Sequence, residues 1–331
     1  MTIQNKIYSK FILSLMLLFV ASSLYANDVN IITQYRKYGI QGIEKELDKK
    51  LTQKEYWDAY LKNIDTGFGY FEACENILAC DKSKSTLCFY KKDANNSYEL
   101  KKQYSAYTGK IKGDKYKKGD LRTPIGAYDL VKKISKIDSF YGPMAFVTSY
   151  PNIYDKFRHR TGQGIWIHGL PINQKRDTFT HGCIAIPNKS IEGLDKNIDI
   201  KKTILIIDKN SVAKNVSKNN LSTVLASLFQ WRYAWIYNDL NTYLSFYAPE
   251  FKRFDGMDID RFTKYKTRIF NKKEKKRIIF SNINIIPYPE TQNIYKITFK
   301  EDYKSSSFSF VGNKILMAKL INNKLNIITE Q

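Results

Sequence analysis

Beyond its first two dozen residues the chain has no apolar run approaching the roughly 20 residues that a membrane-crossing helix needs. That excludes a bundle of membrane-crossing helices. Carboxylates are also short: 32 Asp and Glu face 54 Lys and Arg, which leaves a formal charge of +22. Lysine greatly outnumbers arginine in that basic set, whereas nucleic-acid readers rely on the planar arginine fork, so nucleic acid is not an expected partner. A lysine-borne field suits an anionic polymer such as a cell wall. Solvated lysines in a chain rich in Lys, Asn and Ile account for the same charge. No internal repeat is found. Histidine numbers 3 and cysteine 4, and Cys74, Cys80 and Cys88 share one short region while Cys183 stands alone.

What is present begins with an export signature. Lys6 and Lys10 precede FILSLMLLFVA (Phe11 to Ala21), and small residues lead to Leu24-Tyr25-Ala26. A charged region, a short apolar region and a small-residue cleavage site predict a signal peptide over 1–26 and a periplasmic protein. An uncleaved anchor is the weaker alternative. Apolar residues then recur at three- and four-residue steps (Ile43, Leu47, Leu51; Trp57, Tyr60, Leu61, Ile64), predicting an N-terminal helical segment over 27–72. Short strands spaced by Gly and Pro follow, at 76–90 about a Lys-Ser turn, 98–107, 126–132, 144–148, 164–168, 183–186 and 203–207. They indicate a β-rich sandwich or barrel over 73–208. The polar stretch DKNSVAKNVSKNN reads as a linker over 209–220. Beyond it, an aromatic amphipathic helix and a basic helix precede strands at 277–286, 293–301, 305–311 and 313–320, an α+β domain over 221–331. The expected fold is therefore multidomain α+β.

Two histidines and the lone cysteine meet in IWIHGLPINQKRDTFTHGCIAIPN (Ile165 to Asn188). Cys183 follows Thr180-His181-Gly182, a polar turn that suits an exposed nucleophile better than a buried apolar thiol. His181 and Cys183 could share a strand face as metal ligands, yet a hydrolytic zinc site needs a third ligand and normally a carboxylate base. Asp177 is the only acid between His168 and Asn188. No metal and no cofactor are expected. Cys–His catalysis accounts for more of the stretch, because a neighbouring imidazole makes the thiol nucleophilic. His168 ends an apolar strand, with Trp166 on its face, and backbone N–H groups of Gly182 and Cys183 are candidate oxyanion donors.

These residues resemble the Cys-dependent L,D-transpeptidase catalytic domain. The match is carried by His168-Gly169, Thr180-His181-Gly182-Cys183, Thr123-Pro124-Ile125-Gly126 and the run from Tyr150-Pro151-Asn152 to Gly169. The resemblance covers about residues 75–208. It implies Cys183 as nucleophile, His168 as base and the Gly169 carbonyl orienting the imidazole, with His181 a wall of the site. The loop from His168 to Thr180 is shorter than in most transpeptidases, and Ala185 stands where many carry Arg. The helical segment with Phe68-Gly69-Tyr70-Phe71-Glu72, and the Trp231-to-Tyr247 pattern of a domain similar to nuclear transport factor 2, look like the L,D-carboxypeptidases of helical bacteria. The resemblance thus implies removal of D-Ala from peptidoglycan tetrapeptides to give tripeptides through a thioacyl enzyme, affecting cell shape. L,D-transpeptidation is the alternative, and a non-catalytic peptidoglycan-binding scaffold is the alternative of another class. Peptidoglycan stem peptides are the expected partners, together with a second copy through the N-terminal segment and cell-shape proteins.

Arg158 and Arg160 are candidate carboxylate ligands, against a solvated basic loop. Trp166, Thr180 and His181 are further candidate substrate contacts, and Trp166 could equally be core. If the strands flanking Lys84 pair symmetrically, Cys80 and Cys88 share a face and could form a disulfide. Two reduced, buried cysteines are the other reading, and Cys74 is the competing partner.

Overall fold

A computed structural model describes residues 31–174, 177–210, 212 and 216–331. The expected signal peptide over 1–26 lies outside these residues, and no described helix is long and apolar enough to cross a membrane. The chain divides into two compact units at Gln53/Lys54. The described part of the first is helix α1, residues 31–51, on which Tyr35, Tyr38, Ile40 and Leu47 are exposed. The helical stretch expected over 27–72 is therefore broken, and its second half is built into the larger unit.

That unit opens with α2 (Lys54–Leu61) and β1 (Tyr70–Phe71). Strands β2 (Asn76–Asp81), β3 (Thr86–Lys92), β4 (Tyr98–Ser105), β5 (Gly126–Ile134), β6 (Ala145–Thr148), β7 (Trp166–His168), β8 (Ile184–Ala185) and β9 (Thr203–Asp208) follow. They form one sheet in the order β4-β3-β2-β9-β5-β6-β7-β8. Its ends meet. Tyr107, just past β4, exchanges both backbone hydrogen bonds with Ala185 of β8, at 2.8 and 2.9 Å. Closure leaves neither β4 nor β8 with a full free edge there. Two helices missing from the sequence reading lie between strands: α3 (Ile153–Phe157) and α4 (Asn188–Asp195). Helix α3 starts with a capping box, in which Asn152 and Asp155 each accept the other's backbone N–H.

The C-terminal part comprises α5 (Lys218–Ile236), α6 (Leu240–Leu244), α7 (Ile259–Phe270) and strands β10 (Arg277–Pro287), β11 (Ile294–Lys304), β12 (Ser309–Ile321) and β13 (Lys324–Glu330). Its antiparallel sheet runs β1-β10-β11-β12-β13. The two strands expected at 305–311 and 313–320 are one, and β13 is additional. The sheet takes its edge strand β1 from ahead of the catalytic region, with Tyr70 opposite Ile285. Helix α2 belongs here too: Trp57 stacks on Phe229 of α5 at 5.2 Å.

Strands β2 and β9 pair in parallel at the centre and are buried on both faces, so they read as continuous apolar runs. Alternation still sorts their side chains. Leu78, Cys80, Leu205 and Ile207 face the interior of the closed sheet. Ile77, Ala79, Ile204 and Ile206 face outward and share a second core with Ile286, Tyr288 and Met317 of the C-terminal sheet. Lys296 of β11, nearly fully buried, reaches across to Asp129 of β5 at 2.7 Å.

No disulfide joins any of the four cysteines. The β2–β3 hairpin pairs Cys80 with Leu87 and Ala79 with Cys88. The turn is centred half a residue earlier than symmetry about Lys84 requires, so Cys80 and Cys88 fall on opposite faces and cannot bridge.

Because the outward core is shared, the catalytic and C-terminal parts should melt together. Ile206→Ala, which removes buried side chain from that core, should lower stability by about 2–5 kcal/mol while calorimetry still records one transition for residues 54–331. Two well-separated transitions, with only the first shifted, would contradict a shared core.

Candidate active site

The site follows from two short strands. Ile165 and Ile167 point into the interior core, which puts Trp166 and His168 on the opposite face by the two-residue alternation. On the parallel neighbour, Ile184 and Ile186 are core, so Cys183 and Ala185 take the other face. Register sets Ile167 beside Ile184 and His168 beside Ala185. Cys183 and His168 therefore lie on one face of one strand pair, from segments separated by a loop.

The imidazole is held on several sides. Its Nδ1 lies 2.7 Å from the Gly169 carbonyl oxygen. A carbonyl can only accept, so Nδ1 carries the proton and Nε2 is the ring's basic nitrogen. Tyr141 meets the ring edge-on at 5.1 Å and also packs on Trp166 at 5.2 Å. The Tyr141 carbonyl accepts the Gly169 N–H at 2.9 Å, and the Asn188 side chain accepts the Leu170 N–H at 2.7 Å. Gly169 is required here: a Cβ would lie 2.4 Å from Asn188 Oδ1 and 2.8 Å from Pro143 Cδ. Tyr141 and Asn188 are positioning residues that the sequence reading missed. Asn188 sits in the quoted stretch, but nothing in it reveals that its amide reaches back to Leu170.

The turn before Cys183 is built on Thr180. Its hydroxyl donates to the Cys183 carbonyl at 2.6 Å and accepts the Gly182 N–H at 3.0 Å. Thr180 is almost fully buried, so the substrate contact expected of it is replaced by a structural role. The oxyanion reading is likewise corrected at Gly182, whose N–H is committed to Thr180. Gly182 has φ +134°, and a Cβ there would lie 2.8 Å from the Arg122 carbonyl oxygen. The Cys183 thiol donates to the Gly164 carbonyl at 3.4 Å. His181 is exposed and Trp166 half-buried, both able to line a cleft. Among the described residues no three His, Cys, Asp or Glu side chains gather as a metal site.

A loop over 109–123 lies against this turn. Its ends are tied by the Thr123 hydroxyl, which accepts the Gly109 N–H at 2.8 Å, and by the Lys82 ammonium, which donates to the Gly113 and Thr123 carbonyls. Burial pushes Lys82 down to about 8. Inside the loop, Asp120 accepts from Lys115 at 2.6 Å and from the amides of Tyr116, Lys117 and Arg122. Burial works to raise the Asp120 carboxyl, but those donors outweigh it and hold it down at about 2.

The expected carboxylate ligands divide. Arg158 pairs with Asp155 at 2.9 Å and Asp114 at 3.5 Å, and stacks over Tyr154 and Tyr288. It links the catalytic sheet to Tyr288 beside the C-terminal sheet, and its guanidinium is engaged by internal partners. Arg160 lies 3.6 Å over the Tyr116 ring, with Asp114 at 3.4 Å. Arg122 is 5.4 Å from the same ring.

A closed sheet presenting a held imidazole and a cysteine after Thr-His-Gly has the make-up of the L,D-transpeptidase class of catalytic domain. The model of the L,D-transpeptidase catalytic domain matches residues 75–207, and that of the Cds6 C-terminal NTF2-like domain matches 223–331. The crystal structure of the helical cell shape determining protein Pgp2 from Campylobacter jejuni is similar with a TM-score of 0.77 and 38% identity, over 85% of this chain and 99% of that one. This chain belongs to the L,D-transpeptidase family, in the two-domain form of Pgp2. Bdellovibrio bacteriovorus Bd1075 shares the fold, with a TM-score of 0.63 and 24% identity over 81% of this chain and 96% of its own. YafK of Escherichia coli K12, which carries an L,D-transpeptidase name, is 29% identical over 137 residues, 41% of this chain. The chain spans about half the length of the curated relatives it matches.

The Asp120 carboxyl is depressed, so the stability it contributes is complete above the ordinary carboxylate range and is lost as pH falls toward about 2. Asp120→Asn should cost on the order of 1–2 kcal/mol at neutral pH, allowing for solvent screening. It should also flatten the decline in stability between about pH 4 and pH 2. Urea unfolding across that range checks this, and an unchanged acid limb in the variant would contradict it.

Proposed function

We propose that the protein is a cysteine-dependent L,D-carboxypeptidase that removes the terminal D-Ala from peptidoglycan tetrapeptide stems, acting in the periplasm. One observation carries the choice of hydrolysis over cross-linking. Ala185, at the position where many transpeptidases have Arg, is fully buried and locked to Tyr107 by two backbone hydrogen bonds. Alanine supplies no cation there to receive the carboxylate of a second stem. Water is then the acceptor that remains.

In this mechanism His168 Nε2 takes the Cys183 thiol proton. The thiolate attacks the carbonyl at the L-centre of meso-diaminopimelate. The tetrahedral oxyanion collapses, the C–N bond breaks, and the imidazolium returns its proton to the departing D-Ala amine. His168 next removes a proton from water, which attacks the thioester and releases tripeptide with the thiol restored. Gly169 and Tyr141 keep the ring in the tautomer and orientation these transfers require. The likeness to Pgp2 supports a part in setting cell shape. Transpeptidation shares the first half of this chemistry and differs only in the acceptor.

Purified protein given a disaccharide tetrapeptide should release D-Ala and tripeptide, read by mass spectrometry. Cross-linked dimers without tripeptide would instead support transpeptidation. Wall binding that survives Cys183→Ala, with no turnover by the native protein, would support a scaffold. His168→Ala should slow turnover by about 10²–10⁴-fold.

Iodoacetamide should inactivate the enzyme and chelators should leave it active. Activity lost to EDTA and restored by zinc would overturn the thiol–imidazole assignment.

A further inference from the structure

Several cations in and around the 109–123 loop are already matched. Arg158 and Arg160 share Asp114, Lys115 is paired with Asp120, and the Lys82 ammonium is spent on the Gly113 and Thr123 carbonyls. Arg122 differs. Its Nε is buried without a hydrogen bond, as are those of Arg158 and Arg160, but among the described residues its guanidinium lacks the carboxylate partner that those two have. Both oxygens of the nearest loop carboxylate, Asp120, are occupied by Lys115 and backbone amides. Arg122 is half-buried, and a buried donor left without an acceptor is costly unless an anion completes it.

Its place says which anion. The Arg122 carbonyl oxygen lies 2.8 Å from where a Cβ of Gly182 would be, next to the nucleophile. The guanidinium lies by the Tyr116 ring, with Arg160 on the same ring. The Tyr116 carbonyl accepts the Thr161 N–H at 3.1 Å, three residues before Gly164, whose carbonyl accepts the thiol. The backbone of the loop that carries Arg122 and Tyr116 thus runs beside the two segments that hold Cys183 and Gly164. An enzyme that cuts a single residue from a C-terminus must sense the free carboxylate of that residue, and a bidentate guanidinium is the side chain suited to it.

We infer that Arg122 is the specificity-determining carboxylate anchor of this site, binding the C-terminal carboxylate of the stem tetrapeptide with Arg160 beside it on Tyr116. This rests on the stem-peptide reading above, and it concerns the carboxylate of the stem being cut, not that of a second stem. Asp114, shared by Arg158 and Arg160, makes Arg160 the weaker of the pair.

The test measures binding in the full chain carrying Cys183→Ala, which cannot turn over. The probes are the free stem tetrapeptide and its C-terminal amide, followed by calorimetry. The carboxylate form should bind about tenfold more tightly than the amide. Adding Arg122→Ala should bring that ratio to about one while leaving amide affinity within about twofold. Arg122→Gln, which keeps the side-chain stem on Tyr116 and removes the charge, should do the same and serves where Arg122→Ala fails to fold. A ratio unchanged by either substitution, no preference in the Cys183→Ala parent, or no binding of either peptide would overturn the assignment. Tripeptide release by native protein is scored separately. An Arg122-dependent preference without release would sink the carboxypeptidase reading and leave the anchor standing, whereas release without preference would do the reverse.

Discussion

The parallel pairing of β7 with β8 is the constraint on which the chemistry depends. Only two residue pairs define it, Ile167 with Ile184 and His168 with Ala185. Both isoleucines are fully buried, each contributing about 1.5–3 kcal/mol by leaving water. A slip of one residue on either strand would place an isoleucine in the cleft and the imidazole or the thiol in the core. Hydrophobic burial on one face therefore enforces the Cys–His juxtaposition on the other. The catalytic groups need no direct attraction to find each other.

Around that pair, rigidity comes from hydrogen bonds that consume polar groups. Thr180 uses its hydroxyl twice to shape the turn before Cys183, and Gly169 uses both its N–H and its C=O to seat the imidazole. The 109–123 loop is held the same way, by Lys82 at its ends and Asp120 within. Substrate-facing chemistry is left to the few groups these networks do not use. The C-terminal sheet adds a second support: it covers the outward face of β2 and β9, and Arg158 and Lys296 cross the boundary to Tyr288 and Asp129.

The sequence was most legible where periodicity and local motifs coincide. Strands β2 to β9 and helix α5 announce themselves as short apolar segments between turns and by aromatic spacing, and His168-Gly169 with Thr180 to Cys183 marks the candidate site. Misses have local causes. β1 has two residues and exists only because β10 offers an edge. α3 is hidden behind Pro151, and its capping box shows only once Asn152 and Asp155 are seen to exchange hydrogen bonds. The Cys80–Cys88 reading failed because hairpin register turns on half a residue of turn position, which composition does not reveal.

By itself the sequence determined which chemistry is available: one thiol after Thr-His-Gly, one imidazole before Gly, and apolar runs able to bury both strands that carry them. Residue type and spacing along the chain are enough for that, since reactivity belongs to the side chain and alternation to the backbone. Only the tertiary structure decided which polar groups remain to meet a substrate. Thr180, the Gly182 N–H and Arg158 are the residue types that bind substrates, yet each is consumed by a partner near or far along the chain. Arg122, unremarkable in the sequence, keeps its charge unmatched because its neighbour Asp120 is saturated by Lys115 and the loop's own amides. Such accounts close in three dimensions, since a hydrogen-bond acceptor is spent by whichever donor the fold brings within 3 Å or so.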